Sequence, residues 1–296
     1  MIKRSSGLLV FECNLGNPNG DPDWEGEPRV TSDGYGWASD CSLKRKLRDL
    51  FVDHKSPVFQ YLQERLEINP DRFHVFESML RGFKDASDGV EAKKLASKLS
   101  EDIEAFCNWY WDVRLFGTTA IQGKKEEKEF DFIATGPVVL SNAISVAKVN
   151  KLDGGTLSKR FPLRQEESDL APRAKKYITH GVYVSRISVN PNLATRTFTT
   201  QEDVEVFKHV LKHIFTSSTS TSRPPGSLNV LHTWWADHTN PLGSFDERKF
   251  WESLTPVRIG DDPTMASHSL EDYTFSQPDF DFPVEDLNQF EGFRAK

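Results

Sequence analysis

The 296-residue chain has few cysteines: Cys13, Cys41 and Cys107 are widely separated, and no two form a CxxC pair. That argues against a disulfide framework or a cysteine zinc site and fits a reducing cytoplasm best. Long apolar runs are also missing. No stretch approaches the roughly 20 apolar residues of a membrane span. The opening residues lead only into the short run Gly7–Phe11, ended at once by Glu12, which is too short for a signal-peptide core. No GxSxG, P-loop, Rossmann fingerprint or HExxH pattern occurs, so motifs supply neither a catalytic site nor a cofactor. No internal repeat is visible. The length suits one large domain or two ordinary ones, with enough core to fold without metals or disulfides.

The net charge is −7, but it is unevenly distributed. Residues 260–296 carry nine acids against two bases, a balance of −7, whereas 1–259 is neutral with 35 of each. The acidic total therefore does not exclude a nucleic-acid partner. It requires any basic surface to be local.

Residues 7–13 read as a strand. A long polar loop follows: of the 23 residues from Asn14 to Gly36, sixteen are Gly, Pro, Asn, Asp, Ser or Thr, a composition and length typical of functional or disordered loops. Next comes a helix that Ser39 or Asp40 can cap, with Leu43, Leu47, Leu50 and Phe51 on one face. Residues 54–108 are polar and helical, with candidate helices at 57–67, 71–82 and 90–109. Strand character resumes at 109–116, 130–140 and 178–189. Trp109 and Trp111 alternate there as sheet-packing residues. A second helix begins after Thr199 or Thr200, with a near capping box from Thr200 to Asp203 and an apolar face of Val204, Phe207, Val210, Leu211 and Ile214. The Ser/Thr/Pro/Gly-rich run 216–227 is a loop. Residues 228–236 form a strand with Trp234 and Trp235 facing opposite ways. Ser244 caps a short helix through Leu254, and the tail from 260 is extended or partly disordered. Without its insertions the order is strand, helix, strand, strand, helix, strand. That is the α+β, ferredoxin-like (RRM-like) βαββαβ plan. Neither aromatic motif of an ordinary RNA-recognition module is present.

Several residues are candidates for chemistry. Opposite the leucines of the first helix, Lys44, Arg45 and Arg48 project together, a pattern suited to phosphate; a solvated face balanced by Asp40 and Asp49 remains open. In the preceding loop Gly16 and Gly20 permit close approach of a ligand, and Asn17 and Asn19 can donate to phosphate or base edges. Asp21, Asp23 and Glu25 imitate the start of an EF-hand, but Ser32 stands where the bidentate glutamate is required. Segment 159–176 carries six bases and three acids and suits either a nucleic-acid grip or a solvated loop. His209 and His213 are four apart on one helix, without the rest of a metal motif, and read as structural.

Several segments, in order, resemble the backbone subunit of type I CRISPR Cascade surveillance complexes, the Cas-seven family of the RAMP superfamily, in its I-C-like branch. They are Leu9–Glu12, the loop Gly16-Asn-Pro-Asn-Gly-Asp-Pro-Asp23, Pro28-Arg29, Gly34-Tyr35-Gly36, Ser39-Asp40 and Leu43-Lys-Arg-Lys-Leu-Arg-Asp49. Further on come Asp112–Gly117, Thr135–Val138, His180–Val184 and Asn190-Pro191. The match is poor over 54–108 and weak beyond about 216.

The resemblance implies a hand-like subunit. Its ferredoxin-like palm would be 1–53 and 109–259, with 54–108 as helical fingers, about 145–178 as a thumb, and 260–296 as an acidic tail. It implies a non-catalytic scaffold that binds guide crRNA along the phosphate backbone, stacks head to tail with further copies of itself, and presents the bases to a target DNA strand. Other Cascade subunits and a recruited nuclease would be partners. The implied RNA contacts are Asn17, Asn19, Arg29, Lys44, Arg45, Arg48 and Arg114, with Lys159, Arg160, Arg164, Lys175 and Lys176 on the thumb. The alternative is a metal-dependent RNA endonuclease of the type III backbone kind, using a loop aspartate such as Asp33. No metal or cofactor is expected on the first reading.

Overall fold

The computed structural model describes residues 2–77, 103–118, 134–156, 174–260, 262–276 and 279–288. Its centre is β1 (Ser5–Gly16), flanked on both sides by antiparallel partners. The loop after β1 is folded back by a short ribbon of β2 (Gly20–Asp21) and β3 (Glu27–Pro28), and then enters β4 (Tyr35–Ala38). Helices α1 (Asp40–Arg48) and α2 (Pro57–Leu66) follow, then α3 (Ile103–Trp109) and α4 (Trp111–Phe116). Next come the pair β5 (Gly117–Thr118) and β6 (Ala134–Thr135), and then β7 (Val138–Leu140), β8 (Ala143–Lys148), β9 (Lys151–Thr156) and the long β10 (Ala174–Val189). After α5 (Pro191–Thr197) and α6 (Gln201–Leu211), β11 (Leu228–Asp237) returns to the sheet. Last come α7 (Glu247–Leu254), β12 (Val257–Arg258), β13 (Tyr273–Thr274) and β14 (Glu285–Asp286).

The main sheet runs β14-β11-β1-β10-β8-β4, with β7 and β9 pairing the two ends of β10 on the β8 side. All its pairs are antiparallel. Both faces of β1 are covered, which explains its continuous apolar run. Leu9, Phe11 and Cys13 face a core shared with Leu43 and Leu47 of α1, Trp111 and Leu115 of α4, and Val204, Phe207, Val210 and Leu211 of α6. Leu8 and Val10 face a second cluster with Phe250 and Leu254 of α7 and Tyr273.

Helices α1 and α6 form where the leucine and valine spacing predicts them. Ser39 caps α1 through its hydroxyl on the Ser42 N–H, and Thr200 with Asp203 completes a capping box on α6. Trp234 and Trp235 divide between the two faces as expected.

Other expectations are corrected. Residues 109–116 are not a strand: after the isolated bridge at Tyr110 they form α4, and Trp111 is buried in the helix-side core while Trp109 stacks on His74 at 4.6 Å. Alternating large residues mimicked a strand, but the Tyr110–Phe116 segment packs against α6 and α5 rather than joining the sheet. Asp246, not Ser244, caps α7, because its carboxylate accepts from the Arg248 and Lys249 N–H groups. The described part of 71–82 opens as a single 3-10 turn at Pro70–Arg72, and residues 78–102 lie outside the described residues.

The acidic tail, as far as Asn288, is packed. Phe282 stacks on Phe245 at 4.1 Å, Phe280 lies 5.7 Å from Phe250, and β14 closes the outer edge of β11. Among the described residues no helix is long and apolar enough to cross a membrane.

Candidate nucleic-acid interface

Three segments meet at the C-terminal end of β1. The Asn14 N–H donates to Ser227 O at 2.9 Å, and the Asn17 N–H to Ser222 O at 2.9 Å, so the 216–227 loop lies along the 14–19 turn. The Lys46 ammonium ties α1 to the same turn by donating to Pro18 O at 3.2 Å.

The asparagines of the turn serve the turn itself. Asn17 is buried at 3% exposure and its Nδ2 donates to Gly26 O at 2.8 Å. Asn19 Oδ1 accepts from the backbone N–H and the hydroxyl of Ser39, at 2.8 and 3.0 Å, which locks the loop to the start of α1. Its Nδ2 donates to Gly20 O at 3.1 Å. The Arg29 guanidinium sits 4.7 Å above the Trp37 ring and 3.5 Å from Asp21.

The cations of α1 do not share one open face. Lys44 pairs with Asp40 at 2.9 Å. Arg48 turns inward, where Nε donates to the buried Asp112 at 2.9 Å and Nη1 pairs with Glu77. Asp112 also accepts from the Phe76 and Glu77 N–H groups, so Arg48 anchors the chain leaving α2. Arg45 is exposed and, among the described residues, donates to no protein acceptor. Lys46 is buried instead of projecting, because its side chain covers Ser42 and Pro18.

Arg114 is fully buried, which contradicts its expected place at an RNA surface. Nε and Nη2 grip Asp203 at 3.0 and 2.7 Å, Nη1 donates to Cys107 O and Asn108 O, and Nη2 also donates to Arg72 O. All five N–H donors are used, leaving none for a phosphate.

Lys176 pairs with Glu27, as does Lys151 at 3.1 Å. The two lysines hold the Glu27 carboxyl below the usual carboxylate range, Lys176 by the stronger hydrogen bond. Lys175 lies on β10, and Lys159, Arg160 and Arg164 lie outside the described residues.

Two residues near the junction were not anticipated. Arg223, on the 216–227 loop, donates from Nε to Ser218 O at 2.7 Å and borders a polar cleft of about 280 Å³ with Lys212 and Thr216. Lys46 sits in sequence between Arg45 and Leu47 and was not among the expected contacts. The one sequence signal for Arg223 was a lone base in a run of Ser, Thr, Pro and Gly, which charge clustering does not detect.

Asp33 is exposed on a turn closed by the Gly34 N–H on Thr31 O. Asp21 caps the turn at Pro22–Trp24 by accepting from the Asp23 N–H, the geometry of a capped turn. Among the described residues no group of three or more His, Cys, Asp or Glu is arranged to hold a metal ion. The His209 and His213 rings lie 5.8 Å apart, and burial lowers both pKa values, that of His209 to about 4.

The chain is thus a mixed α+β protein built on one antiparallel sheet covered on both faces. A family model described as CRISPR-associated protein Cas7 matches residues 3–277, and the chain belongs to that family. A "CRISPR-associated protein Cas7" of Haloferax volcanii is 29% identical over 221 residues, which cover 69% of this chain and 62% of the relative. The match therefore spans less than two thirds of that relative's length. Among solved structures, a chain of a "CRISPR RNA-guided surveillance complex, pre-nicking" aligns over 79% of this chain and 75% of its own, at 15% identity and a TM-score of 0.43. A chain of a "CRISPR RNA-guided surveillance complex" aligns over 94% and 78%, at 13% identity and a TM-score of 0.40.

Proposed function

We propose that this chain is the non-catalytic backbone subunit of a type I CRISPR surveillance complex. It holds guide crRNA by its phosphates, stacks with further copies of itself, and leaves the bases open to a target DNA strand. The observation that carries this reading is membership of the Cas7 family across residues 3–277. Other complex subunits and a recruited nuclease are its partners, and the cytoplasm is its compartment.

The physical logic is consistent. A scaffold that accepts any guide needs phosphate contacts, which position without reading sequence. Many modest sites along one RNA add up to tight retention, and a head-to-tail interface extends into an open helix. The strand order β11-β1-β10-β8 is the 4-1-3-2 order of a ferredoxin-like sheet, which supports the palm reading. On that reading 54–108 are the fingers and 145–178, including β9, the thumb. Since Arg48 and Arg114 are engaged with buried carboxylates, the RNA-facing set centres on Arg45, Lys44 and Arg29, with Asn17 and Asn19 shaping the loop. The thumb bases Lys159, Arg160, Arg164, Lys175 and Lys176 complete the proposed path.

The test is binding of labelled single-stranded RNAs of guide length and differing sequence. Affinity should be nearly independent of sequence and fall linearly on a log–log plot against salt. Strong discrimination between sequences, or cleavage of complementary RNA by the pure chain with magnesium, would overturn the reading.

A further inference from the structure

Lys46 is an unusual lysine. It is 6% exposed, and its three N–H donors go to neutral oxygens: Pro18 O at 3.2 Å, Ser42 O at 3.4 Å and Ser42 Oγ at 2.7 Å. No carboxylate lies within ion-pair distance of its ammonium among the described residues. A buried ammonium without a directly paired anion is costly. Two guanidiniums crowd it further. Arg45 comes from its own helix and Arg223 from the 216–227 loop, and both act on Lys46 through space, while Asp49 offsets them in part. Arg45 also bears on Arg223, whose ordinary value is lowered by burial and by that neighbour. The Lys46 bond to Pro18 O and the Asn17 N–H bond to Ser222 O bring α1 and the Arg223 loop together at the 14–19 turn. The Arg45 guanidinium and the terminal nitrogens of Arg223 donate to no acceptor among the described residues.

We propose that Arg45, Arg223 and the buried Lys46 form one phosphodiester seat at the junction of α1 and the 216–227 loop. Arg45 and Arg223 supply the donors that touch the phosphate, and Lys46 supplies a charge from beneath. This rests on the RNA-binding reading above and adds Arg223 and Lys46 to the Arg45 of that reading. It also adds a coupling. Burial first, then Arg223 and Arg45, lower the Lys46 pKa to about 7, so near neutral pH the ammonium is only part protonated when the seat is empty. A phosphate beside it favours the charged form, and RNA binding takes up a proton. Affinity is therefore highest below about pH 7 and falls as pH rises through the Lys46 range. If the phosphate restores about one pH unit, the loss across that range is roughly ten-fold.

The experiment measures anisotropy of a labelled polyuridylate RNA with the full chain, between about pH 6 and pH 8.5, and against salt at fixed pH. The wild type should lose roughly ten-fold in affinity across the pH range. Lys46→Met, which keeps the length and apolar bulk of the side chain, should bind with a flat profile and a melting curve near wild type. Arg223→Gln, on a surface loop, should bind more weakly with a salt slope shallower by about one phosphate contact. If the wild type binds RNA but Lys46→Met keeps its pH profile and Arg223→Gln keeps its salt slope, the seat is wrong and the RNA-binding reading stands. If the wild type binds no RNA at any pH, both are overturned.

Discussion

Replacing Arg114 separates a structural arginine from an RNA-contacting one. In Arg114→Met the apolar part of the side chain is kept and five hydrogen bonds are lost. Asp203 Oδ2 keeps the Thr200 N–H and hydroxyl at 2.8 and 2.9 Å, but Oδ1 loses its donor in a side chain 1% exposed. The carbonyls of Cys107, Asn108 and Arg72 lose theirs too. Removing one partner of a buried, hydrogen-bonded ion pair costs about 3–5 kcal/mol. For a chain of this size that is a fall of roughly 10 °C in melting temperature, readable by circular dichroism. Removing Asp203 as well, as Asp203→Leu, should cost less than the sum of the two single changes, because no charge is then left unpaired. RNA affinity, measured well below the melting temperature, should match wild type. A variant that melts like wild type yet loses RNA would refute the reasoning and return Arg114 to the interface.

Three further outcomes are expected. Gly136→Ala would place a Cβ 2.2 Å from Leu115 O and 2.5 Å from the Gly117 nitrogen, backbone atoms with no room to yield, so urea denaturation should show a loss of about 3 kcal/mol. Burial, aided by His54, lowers the pKa of His74 to about 4, so the unfolded chain takes up its proton first as pH falls. Stability should therefore drop from about pH 6.5 towards pH 4. His74→Phe should shrink the difference between urea midpoints at those two ends, while His209, also near 4, keeps its share. Phe282→Asp should open the second face of the sheet, since its ring stacks on Phe245 at 4.1 Å, with a loss of about 2–3 kcal/mol and increased binding of an apolar dye.

Much of this fold could be read from residue spacing. The apolar run of β1, the leucine face of α1 and the valine–phenylalanine face of α6 each carry a period that survives in the structure, because those faces form the core. The helix expected through 109 matches α3 where it is described, but the α4 segment did not read correctly. Its large residues alternate locally, and only packing against α5 and α6 makes it helical. The charged residues were least legible. Lys44, Arg45 and Arg48 look equivalent on a helical wheel. Arg48, however, reaches Asp112, 64 positions away, and Arg114 reaches Asp203, 89 positions away. Nothing local to a cation announces a distant buried carboxylate. Arg223 failed for the converse reason: isolated in a polar loop, it gains company only when the 216–227 loop folds against the 14–19 turn. The tail sustains no period and so reads as extended or partly disordered, yet Tyr273, Phe280 and Phe282, spaced among the acids, hold it on the sheet.

The central claim is that this chain is a scaffold assembled on RNA. The most direct measurement is purification from cells in moderate salt, with the 260/280 nm absorbance ratio followed across a sizing column before and after RNase. The account predicts a large particle with a nucleic-acid ratio that collapses, on digestion, to a small species with a protein ratio. A large particle whose size and ratio are unchanged by RNase, or a monomer that stays free of RNA when guide transcript and partner subunits are supplied, would contradict it.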